Sequence, residues 1–220
     1  MTEASSHWDQ LHNHRRFRPQ YPNDHVVRFF MASLGLFENR PARFLDIGAG
    51  AGRHCKLASD LGFDTYGVDT SFVGLQHARQ RISETTSRPL LAQADMSALP
   101  FADSTFQLVL SYGVFYYGTA MEMRQAIAET HRVLIPGGRA FVVLRTLDDY
   151  RFGKGRKLEE NTFQLDIADT NEFGTVEHFL RAEDIDQCFA AFAKISFEKT
   201  ETTSANRSRV NSDWLVTVEK

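Results

Sequence analysis

The apolar periodicity of this chain switches repeatedly between helical and strand spacing, and that alternation leaves few folds open. Val26, Val27, Phe30, Met31 and Leu34 fall on one helix face behind the capping pair Asn23-Asp24. The short run Arg43-Phe44-Leu45-Asp46-Ile47 then ends in glycines, the pattern of a buried strand entering a turn. A helix is predicted from about Arg53 to Leu61, stopped by Gly62. Thr65–Val68 predicts a second strand, Ser71–Ile82 a helix, Leu90–Ala92 a third strand and Phe106–Leu110 a fourth. Thr119-Ala120-Met121-Glu122 has the form of a capping box, opening a helix that must close before Pro136. After the Gly137-Gly138 turn, Ala140–Leu144 reads as a fully buried fifth strand.

Such alternation predicts an α/β fold: a doubly wound, Rossmann-like parallel sheet with helices on both faces. Beyond Leu144 the pattern changes. Residues 146–181 are polar and rich in turn formers and are expected to form a small substrate lid. Residues 182–220 are expected to give a final helix marked by Ile185, Phe189 and Phe192, then strand-like runs near 195–203 and 213–219 that could pair as a hairpin across a long polar loop. The expected organisation is a single domain, with 1–40 a helical cap and 41–145 the ligand-binding core.

Composition narrows the function classes. The chain has 220 residues and a formal net charge of −3, so no overall field attracts a polyanion, and no nucleic-acid partner is expected. Cys55 and Cys188 have neither metal-ligand spacing nor a disulfide framework, and no metal is expected. No apolar run approaches the roughly 18 residues of a membrane span, and the polar start MTEASSHWDQ lacks a signal-peptide core. No membrane association and a cytoplasmic location are expected. Oligomeric state is not legible.

Ligands of open parallel sheets bind beyond the carboxyl ends of the strands. The first strand-to-helix turn is Asp46-Ile47-Gly48-Ala49-Gly50-Ala51-Gly52-Arg53, where alternate glycines allow a sharp turn and close approach of a ligand to backbone. A dinucleotide fingerprint would need glycine where Arg53 stands, and no Gly-Lys-Ser/Thr follows, so neither a dinucleotide nor a phosphate loop is indicated. Asp46 would repel a pyrophosphate but suits a cationic ligand. Asp69 closes the second strand, where a carboxylate can accept from both ribose hydroxyls, and Asp95 ends the third. The three acids with the glycine turn predict an adenosine-containing, phosphate-free, partly cationic ligand.

These segments resemble class I S-adenosylmethionine-dependent methyltransferases, in particular the small stand-alone type 11 branch. The matching stretches are Phe44–Gly52, Val68-Asp69-Thr70-Ser71, Ala94–Phe101 and Glu129–Gly138, in the family's order and spacing. Gln107 and Ile135 depart from the family's usual acidic and basic residues, at positions that do not normally touch cofactor. The resemblance implies S-adenosyl-L-methionine as cofactor and S-adenosyl-L-homocysteine as product, and a seven-stranded sheet with an antiparallel last strand. It implies that Gly48, Ala49, Gly50 and Gly52 line the methionine part, with Asp46 supporting its ammonium. Asp69, followed by Thr70, would bind the ribose, Asp95 the adenine amino group with Met96 beside the ring, and Ser111 would lie near the sulfonium.

Methyl transfer from a sulfonium is an in-line displacement, so alignment can carry most of the work and a general base is needed only for a protonated nucleophile. His178, Tyr116 and Tyr117 are the catalytic candidates. Arg16, Arg18, Tyr21 and Tyr112 are the substrate-binding candidates, because the basic run His12–Arg18 could close over the cofactor or hold an anion through arginine forks. That run also reads as a solvated face, and the tyrosines as ordinary loop packing. A small-molecule acceptor is expected, with oxygen ahead of nitrogen. A saccharide, protein or nucleic-acid acceptor, or a non-catalytic cofactor-binding module, remains open.

Overall fold

The computed structural model describes residues 3–37, 41–82, 89–168, 170 and 172–220. Parts of the expected 1–40 cap, 41–145 core and 146–181 lid therefore lie outside the described residues. The amino-terminal helix α1 (Glu3–His12) and a single 3-10 turn (Arg15–Phe17) precede α2 (Asp24–Ser33). Then β1 (Arg43–Ile47), α3 (Arg53–Asp60), β2 (Asp64–Asp69), α4 (Phe72–Ile82), β3 (Leu90–Gln93), β4 (Phe106–Tyr112), α5 (Ala120–Val133) and β5 (Leu134–Thr146) alternate as the sequence predicts. The chain ends with β6 (Arg156–Glu159), β7 (Thr162–Gln164), β8 (Val176–Leu180), α6 (Ala182–Cys188), β9 (Lys194–Ser204) and β10 (Arg209–Glu219).

The main sheet runs β3-β2-β1-β4-β5-β10-β9. Its first five strands are mutually parallel, and β10 lies antiparallel to both β5 and β9. This is the expected seven-stranded sheet with an antiparallel last strand. Successive side chains leave a strand on opposite faces, so each central strand feeds two cores. Leu108, Leu110, Phe141 and Val143 pack with α2 residues Val26, Phe29 and Phe30. Val109, Val142 and Leu144 pack on the other face with Met123 and Ile127 of α5 and Ile185 of α6. The first core is bound by aromatic contacts: Phe29 stacks on Phe141 with centroids 5.5 Å apart, and Phe30 meets Phe44 edge-on at 4.9 Å.

The terminal hairpin differs from expectation in length. β9 and β10 pair from Lys194 with Glu219 to Ser204 with Arg209, so only residues 205–208 form the turn. Three of these, Ala205, Asn206 and Arg207, have positive φ. The exposed edge strand β9 carries Lys194, Glu198, Lys199 and Glu201, charges that discourage pairing with another chain.

The 146–181 segment is a small antiparallel sheet, β6-β7-β8, not an irregular loop. It has its own apolar cluster of Phe163, Leu165 and Phe179. β8 joins the carboxyl end of β5 in parallel, with Arg145 beside Phe179 and Thr146 beside Leu180. Behind it lies a buried ionic cluster. Arg145 meets Glu172 at 2.7 Å, Glu177 at 3.0 Å and Asp149 at 3.4 Å, and Arg151 meets Asp149 at 2.9 Å and also Glu172. Buried ion pairs contribute little net stability but cost several kcal/mol when one partner is removed.

The capping box at α5 is formed in both directions: Thr119 N donates to Glu122 Oε2 at 2.7 Å, and Glu122 N donates to Thr119 Oγ1 at 3.3 Å. Thr119→Ala is expected to lower unfolding stability in urea by about 1 kcal/mol. An unchanged urea midpoint would show that the cap contributes nothing.

Candidate functional site

A cavity of about 450 Å³ opens at the carboxyl ends of β1, β2, β3 and β4, a volume within the usual range of about 300–1,000 Å³ for small-molecule sites. Its floor is the turn after β1. Gly48, Gly50 and Gly52 all have positive φ (77°, 49° and 76°), a region side chains resist. At Gly48 space alone would exclude a side chain, because an added Cβ would sit 2.1 Å from Val114 Cγ2. Backbone here can therefore approach a ligand directly.

Asp69 braces that turn. Its Oδ2 accepts from Gly50 N at 2.7 Å, and its Oδ1 accepts from Ser71 N at 2.7 Å. Each oxygen keeps a further lone pair for a ligand donor. Asp95 is exposed on the opposite rim; its Oδ1 takes the Ser97 N and Oγ at 2.8 and 2.6 Å, and Met96 lines the wall beside it. Two carboxylates with spare acceptor capacity, separated by a side-chain-free backbone turn, fit a ligand that presents hydroxyl and amino donors. The donor set fits the S-adenosylmethionine that the resemblance implies.

Gly48, Ala49, Gly50, Asp69, Thr70, Asp95, Met96, Arg16, Tyr112, Tyr116 and Tyr117 all line the cavity. Asp46, Gly52, Ser111, Arg18, Tyr21 and His178 do not. Asp46 is buried beneath the turn, where Cys55 Sγ donates to its Oδ2 at 3.5 Å. Gly52 packs against Ala78 of α4. Ser111 is fully buried in β4, and its hydroxyl has no hydrogen-bond partner among the described residues. Arg18 Nη1 reaches the His77 ring at 2.7 Å, and Tyr21 is 79% exposed. His178 is buried in β8 with Nδ1 2.7 Å from Thr162 Oγ1, and burial lowers its pKa. Lys154, Arg156 and Lys157 are also absent from the wall, as are the other described residues of the 146–181 segment.

That segment meets the cavity indirectly, through Tyr116 and Tyr117. His178 N donates to Tyr116 O at 2.8 Å, Arg145 Nη2 donates to Tyr116 Oη at 3.2 Å, and Tyr117 Oη points to Glu172 Oε1 at 3.5 Å. The two rings form the wall while their hydroxyls sit in the ionic cluster, and burial pushes Tyr116 up to about 12. Tyr116 therefore stays protonated at neutral pH.

Sequence reasoning missed several wall residues. Trp8 and Leu11 come from α1, whose polar sequence gives little hint of a buried face; His12, also from α1 and on the wall, opens the basic run expected to close over the cofactor. Trp8 meets Tyr117 edge-on with centroids 4.7 Å apart. Arg53, His54 and Arg81 come from α3 and α4. Arg53 lies over the Tyr112 ring at 5.4 Å and donates to Tyr21 O at 3.4 Å, while Arg81 donates to Pro19 O at 2.9 Å. Both guanidinium groups thus hold the 19–21 segment by backbone carbonyls. His54 Nε2 accepts from Asn23 N at 3.4 Å. Burial lowers the His54 pKa to about 3, so the ring is neutral.

Asp46 offers a direct test of this electrostatic picture. Burial raises its pKa to about 7, against the pull of the Cys55 thiol and Arg53. Ionisation then costs more in the folded protein than in the unfolded chain, where the group titrates near 4. Its stabilising contribution is complete below about pH 4 and is lost as the pH rises to about 7. Asp46→Asn should therefore gain stability relative to the unmodified protein across that window, by more than about 1 kcal/mol in urea unfolding. Parallel stability–pH curves for the two proteins would show an ordinary Asp46.

Residues 45–142 match the family described as "Methyltransferase domain". The malonyl-[acyl-carrier protein] O-methyltransferase of Pseudescherichia vulneris is 36% identical over 115 residues, covering 52% of this chain and 43% of that protein. The probable tRNA methyltransferase 9B of Bos taurus is 31% identical over 115 residues, covering 51% of this chain and 24% of that protein. The chain thus spans less than half the length of either relative. A crystal structure of a SAM-dependent methyltransferase from Methanosarcina mazei superposes with a TM-score of 0.66 at 19% identity, covering 84% of this chain and 95% of that one, a likeness of fold. Residues 45–142 thus match a methyltransferase domain of the type 11 branch, in agreement with the class I S-adenosylmethionine-dependent methyltransferases that the sequence resembles.

Proposed function

We propose that the protein transfers a methyl group from S-adenosylmethionine to a small acceptor carrying negative charge, with oxygen as the accepting atom. The observation that carries this reading is the cavity itself: a side-chain-free turn flanked by the acceptors Asp69 and Asp95, with the cations Arg16, Arg53 and Arg81 on the same wall. The cofactor, when bound, supplies an electrophilic methyl on a leaving group that is already activated. Gly48 and Gly50 let backbone approach its methionine part, Asp69 takes the ribose hydroxyls, and Asp95 takes the adenine amino group, with Met96 packed beside the ring.

The aromatic wall of Tyr112, Tyr116, Tyr117 and Trp8 positions the acceptor and excludes water. The arginines favour an ionised oxygen nucleophile and disfavour a protonated amine, which makes a separate general base unnecessary. His178 then acts structurally through Thr162 and the Tyr116 backbone. In this reading the 146–181 sheet is a support for the substrate wall as well as a lid, and the protein works in the cytoplasm. The malonyl-[acyl-carrier protein] O-methyltransferase is a relative whose name specifies an oxygen acceptor. The tRNA methyltransferase relatives make a nucleic-acid acceptor the competing reading, which the net charge of −3 disfavours.

Calorimetric titration should give micromolar binding of S-adenosylmethionine and S-adenosylhomocysteine and none of NAD. Asp69→Ala should weaken both by about 1–3 kcal/mol, since the lost carboxylate also strands the Gly50 and Ser71 amides. Binding of NAD alone, or equal cofactor affinity in the variant, would contradict the reading. In a screen with labelled methyl groups, Arg16→Ala should raise KM for the acceptor severalfold and leave cofactor affinity unchanged. A preferred cationic or polynucleotide acceptor would overturn the acceptor class.

A further inference from the structure

The α1 helix brings a side chain to the cofactor end of the cavity whose hydrogen-bonding state can be deduced. Asp9 Oδ1 accepts from Val73 N at 3.0 Å, so it serves α4 as an external cap. The same oxygen lies 2.7 Å from Ser71 Oγ, and the proton between them is the hydroxyl's. Ser71 Oγ also receives Gly74 N at 2.9 Å. Its remaining partner is His12 Nδ1 at 2.9 Å. A serine hydroxyl has one proton and has spent it on Asp9, so His12 must donate through Nδ1.

In the neutral ring Nε2 is then a bare acceptor. It faces the glycine turn, 3.3 Å from where a Cβ on Gly50 would sit, and Gly50 N is bound by Asp69 on the same turn. His12 and Asp69 both line the cavity. We propose that His12 Nε2 and the Asp69 carboxylate together take the two hydroxyls of the cofactor's ribose, making α1 part of the cofactor site. The proposal rests on the S-adenosylmethionine reading above. The charged and titratable groups that face the imidazole are Asp9 on its own helix, Asp69 at the end of β2, His77 on α4 and Arg18 beyond the 3-10 turn. Burial, the largest influence, favours the neutral ring.

Two-bond proton–nitrogen spectra of imidazole-labelled protein test the deduction without any variant. His12 should show a protonated Nδ1 and a bare Nε2 whose signal moves when S-adenosylhomocysteine is added. The opposite tautomer, or an unmoved Nε2 in the ligand-saturated protein, would overturn the proposal. Calorimetry with S-adenosylhomocysteine and with 5′-methylthioadenosine, which keeps the ribose but lacks the amino-acid end, gives a second readout. His12→Ala should weaken both ligands about three- to tenfold. His12→Gln, which keeps a side-chain acceptor, should recover most of the affinity. Full affinity in His12→Ala, or a loss confined to S-adenosylhomocysteine, would exclude the ribose contact. Failure of the unmodified protein to bind either ligand would instead sink the cofactor reading as well, so the two failures are distinguishable.

Discussion

The bond from Gly50 N to Asp69 is the interaction on which the site depends. It ties the carboxyl ends of β1 and β2 across a turn that the backbone enters with positive φ at each of three glycines. Backbone reinforces that tie: Gly48 N and Ala49 N both donate to Val68 O, at 2.8 and 2.9 Å. Val114 fills the space where a side chain at Gly48 would be, so the β4 loop is registered against the same turn. The cavity is therefore a consequence of how three strand ends are locked together, and its floor is the glycine turn.

Two supports with different physics surround this core. On one side, apolar packing dominates: the phenylalanines of α2, β1 and β5 fix the sheet and bring α3, with Arg53 and His54, to the cavity. On the other side, the tyrosine wall is backed by the buried charges Arg145, Glu172, Glu177 and Asp149, with Arg151 beside them. Burial raises Glu177 to about 7 despite Arg145 beside it, which marks the cluster as electrostatically crowded. Such a cluster orients groups through directional contacts, and here it orients Tyr116 and Tyr117.

Much of this was legible in the sequence. The central strands were readable because they are continuous apolar runs, the capping box at Thr119 because its residue types are specific, and the glycine turn because glycine tolerates its φ angles. The hairpin was less so: β9 is an edge strand rich in Lys, Glu and Thr, and charged residues hide strand periodicity. Strands of three to five residues in the 156–180 region escaped notice because they are short and, in Arg156–Glu159, fully exposed, with no apolar alternation to read. The contribution of α1 was hidden because it depends on long-range contacts, such as that of His12 with Ser71, 59 positions away. The basic run at His12–Arg18 was singled out, and the structure divides it: Arg16 reaches the cavity, while Arg18 turns to His77.

The central claim is that the turn after β1 and the acids beyond β2 and β3 form an S-adenosylmethionine site. Crystallographic analysis of the protein with S-adenosylhomocysteine tests it most directly. The account predicts continuous density with the methionine part against Gly48 and Gly50, the ribose at Asp69, and the adenine against Met96 with its amino group at Asp95. Density for the ligand elsewhere, or an inverted orientation with adenine at the glycine turn, would contradict it.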